Sequence, residues 1–418
     1  MTCWKSGDKF ETADTVSICL NIRASSALLR IGMTEFQPSG AKPGSADCGS
    51  VDLLREALHL DPAPGGVSLL RLKLLGNEDA LPKLVSAADQ RMLLSALLQR
   101  LFDYELIDDT SAHADGLERQ LGAAWQAHIN RRRQLADGLV EITGSLNAAG
   151  ITPLLMKGAV SLWTGQPAWR QQRDIDILVA PDDSTRAHRL LTSIGFAPMP
   201  DQNPAPHHLQ PIIRPDIPAS IEIHFAASNP RGERYLSTCE FMQHSQRSQT
   251  PDGTVMLPGP VEHLLHMVVH NHFTHRNATF GVAPLKGLYE FAWQISQASP
   301  DDVRAMHHHA TRDARLLAAL ELWFAAAINW FGVQLPNDIK IPQDAVSRWA
   351  RQAERLRHHR LPSLTTALAE EIAMIRARSE GVAGFVQAFW DPLRDLATAP
   401  IWIDRKEQAL KSAGIDHG

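Results

Sequence analysis

Between residues 150 and 257 the hydrophobic period of this chain changes from that of helices to that of strands, and after Pro258 it changes back. The switch predicts a small sheet held between helical regions, an α+β fold flanked by N-terminal helices and a C-terminal helical domain. Residues 151–156, behind Gly150, form a short, mostly apolar run, and residues 174–180 (DIDILVA) form a second strand candidate. Residues 183–194 read as a helix closed at Gly195. Residues 207–214 and 220–226 read as two further strands about a turn at 215–218. The last strand alternates: Ile221, Ile223 and Phe225 face one way, Glu222 and His224 the other.

Apolar residues recur every three or four positions over residues 87–101 and 117–146 before the sheet, and over 261–275, 285–296 and 314–331 after it, with further helices to about residue 396. The expected division is a poorly ordered extension at 1–66 with one helix near 51–60, a helical region at 67–149, the α/β core at 150–257, a helical domain at 258–400 and a tail at 401–418. With 418 residues, two or three domains are expected from length. The run Arg131-Arg132-Arg133 reads as a solvated helix face.

Charge and cysteine content exclude several classes. Lys plus Arg is 41 against 46 for Asp plus Glu, a net charge of −5, so the chain carries no strong nucleic-acid signal. No run of 18 apolar residues is present, and the charged N-terminus does not read as a secretory signal, so no membrane partner is expected and the cytoplasm is the expected compartment. Four cysteines without CxxC spacing argue against a disulfide framework or a Cys-rich zinc site.

The chemistry-bearing stretch runs from Lys157 to Glu222. Asp174 and Asp176 are two apart on a strand and share a face. Adjacent carboxylates repel, a divalent cation relieves the repulsion, and oxygen ligands suit Mg²⁺. An isolated DxD more often just faces water. Here the acids open an apolar strand, a Lys157-Gly158 pair that could meet phosphates follows the preceding strand, and Glu222 occupies an alternating position one supersecondary unit later. If the two strands are neighbours, Glu222 completes a three-acid cluster fit for phosphoryl chemistry.

The stretches LLMKGAVSLW (154–163), RQQRDIDILV (170–179), SIEIHF (220–225) and LPGPVEHLLHMVVHNHFTH (257–275) resemble the polymerase-beta-type nucleotidyltransferase superfamily, and within it the bacterial uncharacterised nucleotidyltransferase family, over roughly residues 85–400. The resemblance implies that Asp174, Asp176 and Glu222 are the catalytic, metal-ligating acids for Mg²⁺, with Mn²⁺ as a substitute. It places Lys157 and Gly158 against the triphosphate of an NTP, ATP foremost, with Arg170 and Arg173 as further nucleotide contacts. The reaction implied is transfer of an NMP to an unidentified hydroxyl acceptor with release of pyrophosphate. Two departures stand out: Ala159 follows Gly158 where the superfamily has a hydroxyl, and Arg173 precedes the acids where small residues are usual.

His224, on the face of Glu222, and His270 are accessory candidates. The helix after Pro258 is expected to pack over the cleft with His270 and His275 near it. The triplet at 307–309 and the pair at 358–359 read as solvated helix ends. Trp293, Trp323, Trp330, Trp349, Trp390 and Trp402 read as helical core, the alternative being an acceptor pocket between sheet and helices. Two rival functions remain: a degenerate nucleotidyltransferase fold serving as a binding module, and a DxD glycosyltransferase, disfavoured because the apolar run follows the DxD instead of leading into it.

Overall fold

The computed structural model describes residues 48–379 except 64, 108–115, 200–201, 276, 278–280 and 359, together with Val386 and Trp390. Most of the expected extension (1–47), the helices expected between residue 380 and about 396, and the tail at 401–418 fall outside the described residues.

Among the described residues the fold is α+β, with fourteen helices and one seven-stranded mixed sheet. Four short helices come first: α1 (Cys48–Ala57), α2 (Gly66–Leu75), α3 (Ala80–Asp89) and α4 (Leu94–Asp103). The long α5 (Gly116–Ala148) leads into β1 (Leu154–Leu155), α6 (Lys157–Thr164), β2 (Asp174–Leu178) and α7 (Pro181–Ser193). Then follow β3 (Ala197–Pro198), β4 (Ile212–Arg214), β5 (Ile217–His224), α8 (Thr238–Gln243), β6 (Gln246–Thr250) and β7 (Gly253–Leu257). The chain continues as α9 (Pro260–Val269), a π-helical turn at His270–Thr274, α10 (Leu285–Gln297), α11 (Pro300–Ala310), α12 (Ala314–Phe331), α13 (Gln343–Arg357) and α14 (Leu364–Arg376).

The sheet order is β3-β4-β5-β2-β1-β7-β6. At its centre β2 and β5 run parallel, with Ile175 opposite Ile221 and Ile177 opposite Ile223. These four isoleucines are buried in a core with Leu135, Leu139, Ile142 and Leu146 of α5 and with Ala187 and Leu191 of α7. One face of the sheet is therefore apolar and covered, and period-two alternation puts the acids on the other. Gly138 lets α5 lie close against β5, since a Cβ there would meet Ile217 Cδ1 at 2.8 Å.

A second, larger core joins α1, α3 and α4 to α9–α13 and reaches the sheet through Leu154, Met156 and Leu178. Helices far apart in sequence thus share one interior. Within it α12 is long and apolar enough to cross a membrane, but 78% of that stretch is buried inside the protein, which accounts for its composition. Trp323, Trp330 and Trp349 are core residues, as expected, whereas Trp390 is 61% exposed. Trp402 lies outside the described residues.

Several local expectations are corrected. The helix expected near 51–60 is present but starts and ends about three residues earlier, as α1 over Cys48–Ala57, with Val51 and Leu54 fully buried. The helical pattern over 87–101 is two helices, broken where Met92 takes a left-handed backbone (φ 56°). The expected strand at 207–214 is paired as a named strand only from Ile212, and Ile217 and Pro218 belong to β5 and not to the turn. The β6–β7 hairpin was unforeseen because β6 (QRSQT) is polar throughout; its Pro251-Asp252-Gly253 turn is the signal that marks it. Cys239 is disulfide-bonded, a single bridge and not the framework that the cysteine spacing argued against. Arg131 and Arg132 are half-buried: Arg131 donates to the Gln172 carbonyl at 3.4 Å and Arg132 to the Ser161 hydroxyl at 3.1 Å, so this face of α5 supports the site loops.

Candidate active site

On the polar face of the sheet, parallel pairing sets Asp174 opposite Ser220, Asp176 opposite Glu222 and Leu178 opposite His224. Asp176 and Glu222 are direct cross-strand neighbours. One oxygen of each and one nitrogen of His224 all lie within 4.8 Å of one another. Like charges set side by side this way are destabilising unless something offsets them. Part of the offset is local: Lys157 Nζ is 2.7 Å from Asp176 Oδ1, and His224 Nε2 is 2.9 Å from the same oxygen. Asp176 Oδ2, on a fully buried side chain, has no hydrogen-bond partner.

The charges respond to one another. Burial works against ionisation of Asp176, but the Lys157 ammonium and the His224 hydrogen bond hold its carboxyl well below the usual range. Asp174 goes the other way, pushed up to about 6, first by the neighbouring Asp176 carboxylate and then by burial. Burial opposes the charge on Lys157, yet Asp176, Asp174 and Glu222 together raise its pKa. Three carboxylates face one ammonium and the His224 ring; burial opposes charge on that ring, but its hydrogen bonds to Asp176 and Glu222 raise its pKa.

Lys157 reaches this position from an unusual backbone. It opens α6 with φ 46°, a left-handed conformation uncommon for a residue with a side chain and found disproportionately at functional sites. Gly158 follows where space is short: a Cβ would crowd the Arg170 guanidinium and meet Gln172 at 2.8 Å. Gln172 donates to the Gly158 carbonyl at 2.9 Å and to Ser161 Oγ at 2.8 Å, tying the loop before β2 to α6.

A cavity of about 380 Å³ opens beside the acids, between the sheet, α9 with its π-turn, and α10. Asp174, Lys157 and Arg170 line it, as do His263, His266, His270 and His275. Arg170 is paired with Glu290 of α10 at 3.1 Å, and Lys286 donates to the Gln171 carbonyl at 2.9 Å. Burial pushes His263 down to about 4 and His266 to about 3, so these rings are neutral near pH 7. His270 lies at the π-turn, 2.8 Å from His275 between their Nε2 atoms. Single π-turns of this kind occur often at functional sites. Trp293 also lines the cavity, packed edge-on against Trp169, and so is not simply core.

The fold thus brings Lys157, Gly158, Arg170, Asp174, Asp176, Glu222 and His224 around one region, with His270 on the cavity wall opposite the sheet. It does not bring Arg173, which is exposed, lines no part of the cavity and makes no side-chain hydrogen bond or ion pair among the described residues. Gln172, Lys286 and Glu290 were not singled out from sequence. Gln172 sits inside the quoted stretch before the acids, while Lys286 and Glu290 show only an ordinary i,i+4 charge spacing on a helix.

The sequence model of the family described as "Uncharacterised nucleotidyltransferase" matches residues 78–332, a span that takes in α3 to α12 and every residue of the site. No curated protein matches the chain, and no solved structure does.

Proposed function

The chain belongs to the uncharacterised nucleotidyltransferase family, and from that premise we propose a Mg²⁺-dependent enzyme that moves an NMP from an NTP, ATP foremost, to a hydroxyl of a small molecule, peptide or protein, releasing pyrophosphate. The observation that carries the reading is the excess of carboxylate on one sheet face: Asp176 and Glu222 in cross-strand register, Asp174 two residues along, and a single lysine against them. The donor set fits a divalent cation, and the partnerless Asp176 Oδ2 gives it a free ligand atom. Mg²⁺, or Mn²⁺ in its place, would be held by Asp176 and Glu222 with Asp174 beside them, and would offset the charge of the triphosphate.

The chain's own groups supply the rest. Lys157 stands at the first turn of α6, where helix amides favour an anion, and with Arg170 it faces the cavity that would take the phosphates. The acceptor oxygen bonds to the α-phosphorus as the bond from that phosphorus to the β-phosphate oxygen breaks. Pyrophosphate leaves with the electron pair, and Glu222, whose side chain keeps 17% exposure, takes the hydroxyl proton. A cytoplasmic location belongs to the same proposal.

The test is calorimetric titration of ATP with Mg²⁺ and with EDTA. Affinity should be higher with Mg²⁺ by about 100-fold, worth about 2.7 kcal/mol. Asp174→Ala with Asp176→Ala should abolish the difference while circular dichroism stays native, and survival of the difference would overturn the site. Transfer of label from α-³²P-ATP to an acceptor pool then tests catalysis. The binding-module alternative draws on Ala159 and on the Lys157–Asp176 pair; it predicts nucleotide binding with no label transfer and no pyrophosphate. The family assignment disfavours the glycosyltransferase rival.

A further inference from the structure

One wall of the cavity is a single face of α10. Lys286, Gly287, Glu290, Trp293 and Gln294 line it, and their spacing of three and four residues makes one helical stripe. From Lys286 to Gln294 the stripe runs about 12 Å along the helix, the scale of a nucleoside with one phosphate.

The chemistry changes along the stripe. At its first end Lys286 stands toward the acids: burial lowers its pKa, and the carboxylates of Glu290 and Asp174 oppose that shift. At its far end Trp293 is half-buried and packs edge-on against Trp169. The corner between α3 and α4 reaches this end, because Ser95 of α4 donates to the Trp169 carbonyl at 2.6 Å. Gln90, Arg91 and Met92 of that corner line the cavity, and the Arg91 guanidinium donates to the Ala87 carbonyl at 2.9 Å. An indole and a thioether beside amide side chains suit a flat, uncharged heteroaromatic ring.

Glu290 lies between the two ends. Its side chain is 9% exposed, and Oε2 accepts from Arg170 at 3.1 Å. Its other oxygen, Oε1, is buried without a hydrogen-bond partner among the described residues, 3.7 Å from Lys286 Nζ. A buried acceptor left unpaired is costly, so a ligand that brings it a donor binds more tightly. Two cations already flank this carboxylate, so a further ammonium is repelled and a neutral hydroxyl is the fitting donor.

We infer that the α10 wall is a nucleoside subsite: Glu290 Oε1 accepts from a ribose hydroxyl, and the base lies against the Trp293 ring. The site therefore prefers ribonucleotides to deoxyribonucleotides. The inference rests on the nucleotidyltransferase reading and extends it from the phosphates to the sugar and the base.

The experiment is calorimetric titration of the full chain, with Mg²⁺ present, by ATP, by ATP lacking the 2′ or the 3′ hydroxyl, and by inorganic tripolyphosphate. At least one deoxy analogue should bind about tenfold more weakly than ATP. Trp293→Leu should weaken ATP about tenfold and leave tripolyphosphate unchanged, and Trp293→Phe should restore most of the ATP affinity. The analogue series needs no substitution, so it decides even where Trp293→Leu does not fold. Equal affinity for ATP and both deoxy analogues, or a Trp293→Leu variant that loses no more ATP affinity than tripolyphosphate affinity, overturns the inference. The proposed function still stands in that case if ATP binding depends on Mg²⁺ and on Asp174 and Asp176. Absence of Mg²⁺-dependent ATP binding by the unsubstituted chain overturns both.

Discussion

Among the helices after the sheet, Arg315 and Glu371 form a buried pair of one cation and one anion. On the sheet face three carboxylates share one lysine. Arg315 donates to a single Glu371 oxygen at 2.6 and 2.8 Å and to the Tyr235 hydroxyl at 3.3 Å, and its guanidinium lies 5.2 Å from the Phe273 ring. Each cluster leaves one carboxylate oxygen without a partner, on Glu371 and on Asp176, so an orphan oxygen alone does not separate structure from function. Access does. Neither member of the helical pair lines the cavity, while Asp174 and Lys157 of the sheet cluster open into it.

The contrast is sharpest in what removing one charge does. Arg315→Met should cost about 3–5 kcal/mol in urea unfolding, because it strands the Glu371 carboxylate in the interior. Magnesium-dependent ATP binding by the folded variant should not change. An unaltered unfolding midpoint would remove the distinction between the two clusters.

Gly158→Ala probes the packing under the acids. The added methyl crowds the Arg170 guanidinium and meets Gln172 at 2.8 Å, and overpacking of this kind costs about 1–3 kcal/mol. ATP affinity should fall with it, since both neighbours must shift. Full retention of stability and affinity would show the loop before β2 to be looser than its hydrogen bonds to α6 suggest.

The smallest effect should come from Asp174, and its sign is opposite. Its carboxyl is raised from 3.8 to about 6, chiefly by Asp176. Folding then takes up a proton between those values, so this carboxyl weakens the fold as pH rises through that window, and its cost is complete above it. Asp174→Asn should therefore stabilise the cation-free protein at pH 7.5 by about 1 kcal/mol and do little near pH 3.5. The gain is less than the ~3 kcal/mol implied at about 1.4 kcal/mol per pKa unit, because Lys157 loses a counter-charge in the same step. Equal unfolding shifts at the two pH values would break the account of repulsion.

Some of this was legible along the chain. The α+β class followed from the change of period, and β2 and β5 lie close to where alternation put them. Asp174 with Asp176, and Glu222 with His224, share faces because side chains two apart in a strand must. The hairpin of β6 and β7 was not legible from hydrophobicity, because edge strands need no apolar alternation. Nor was the burial of Arg131 and Arg132, since a long basic side chain on a helix looks the same whether it meets water or a carbonyl.

Backbone geometry settles which neighbours in one segment point the same way, and that much can be read from residue order alone. The meeting of Asp176 with Glu222 is different: α7, β3 and β4 intervene, and only packing of the isoleucine face on α5 and α7 selects the parallel register that pairs them. The same holds for Glu290 beside Arg170 and for the cavity wall supplied by α9 and α10. Polar residues carry no periodic signal of their partners, so long-range burial decides where their charges meet.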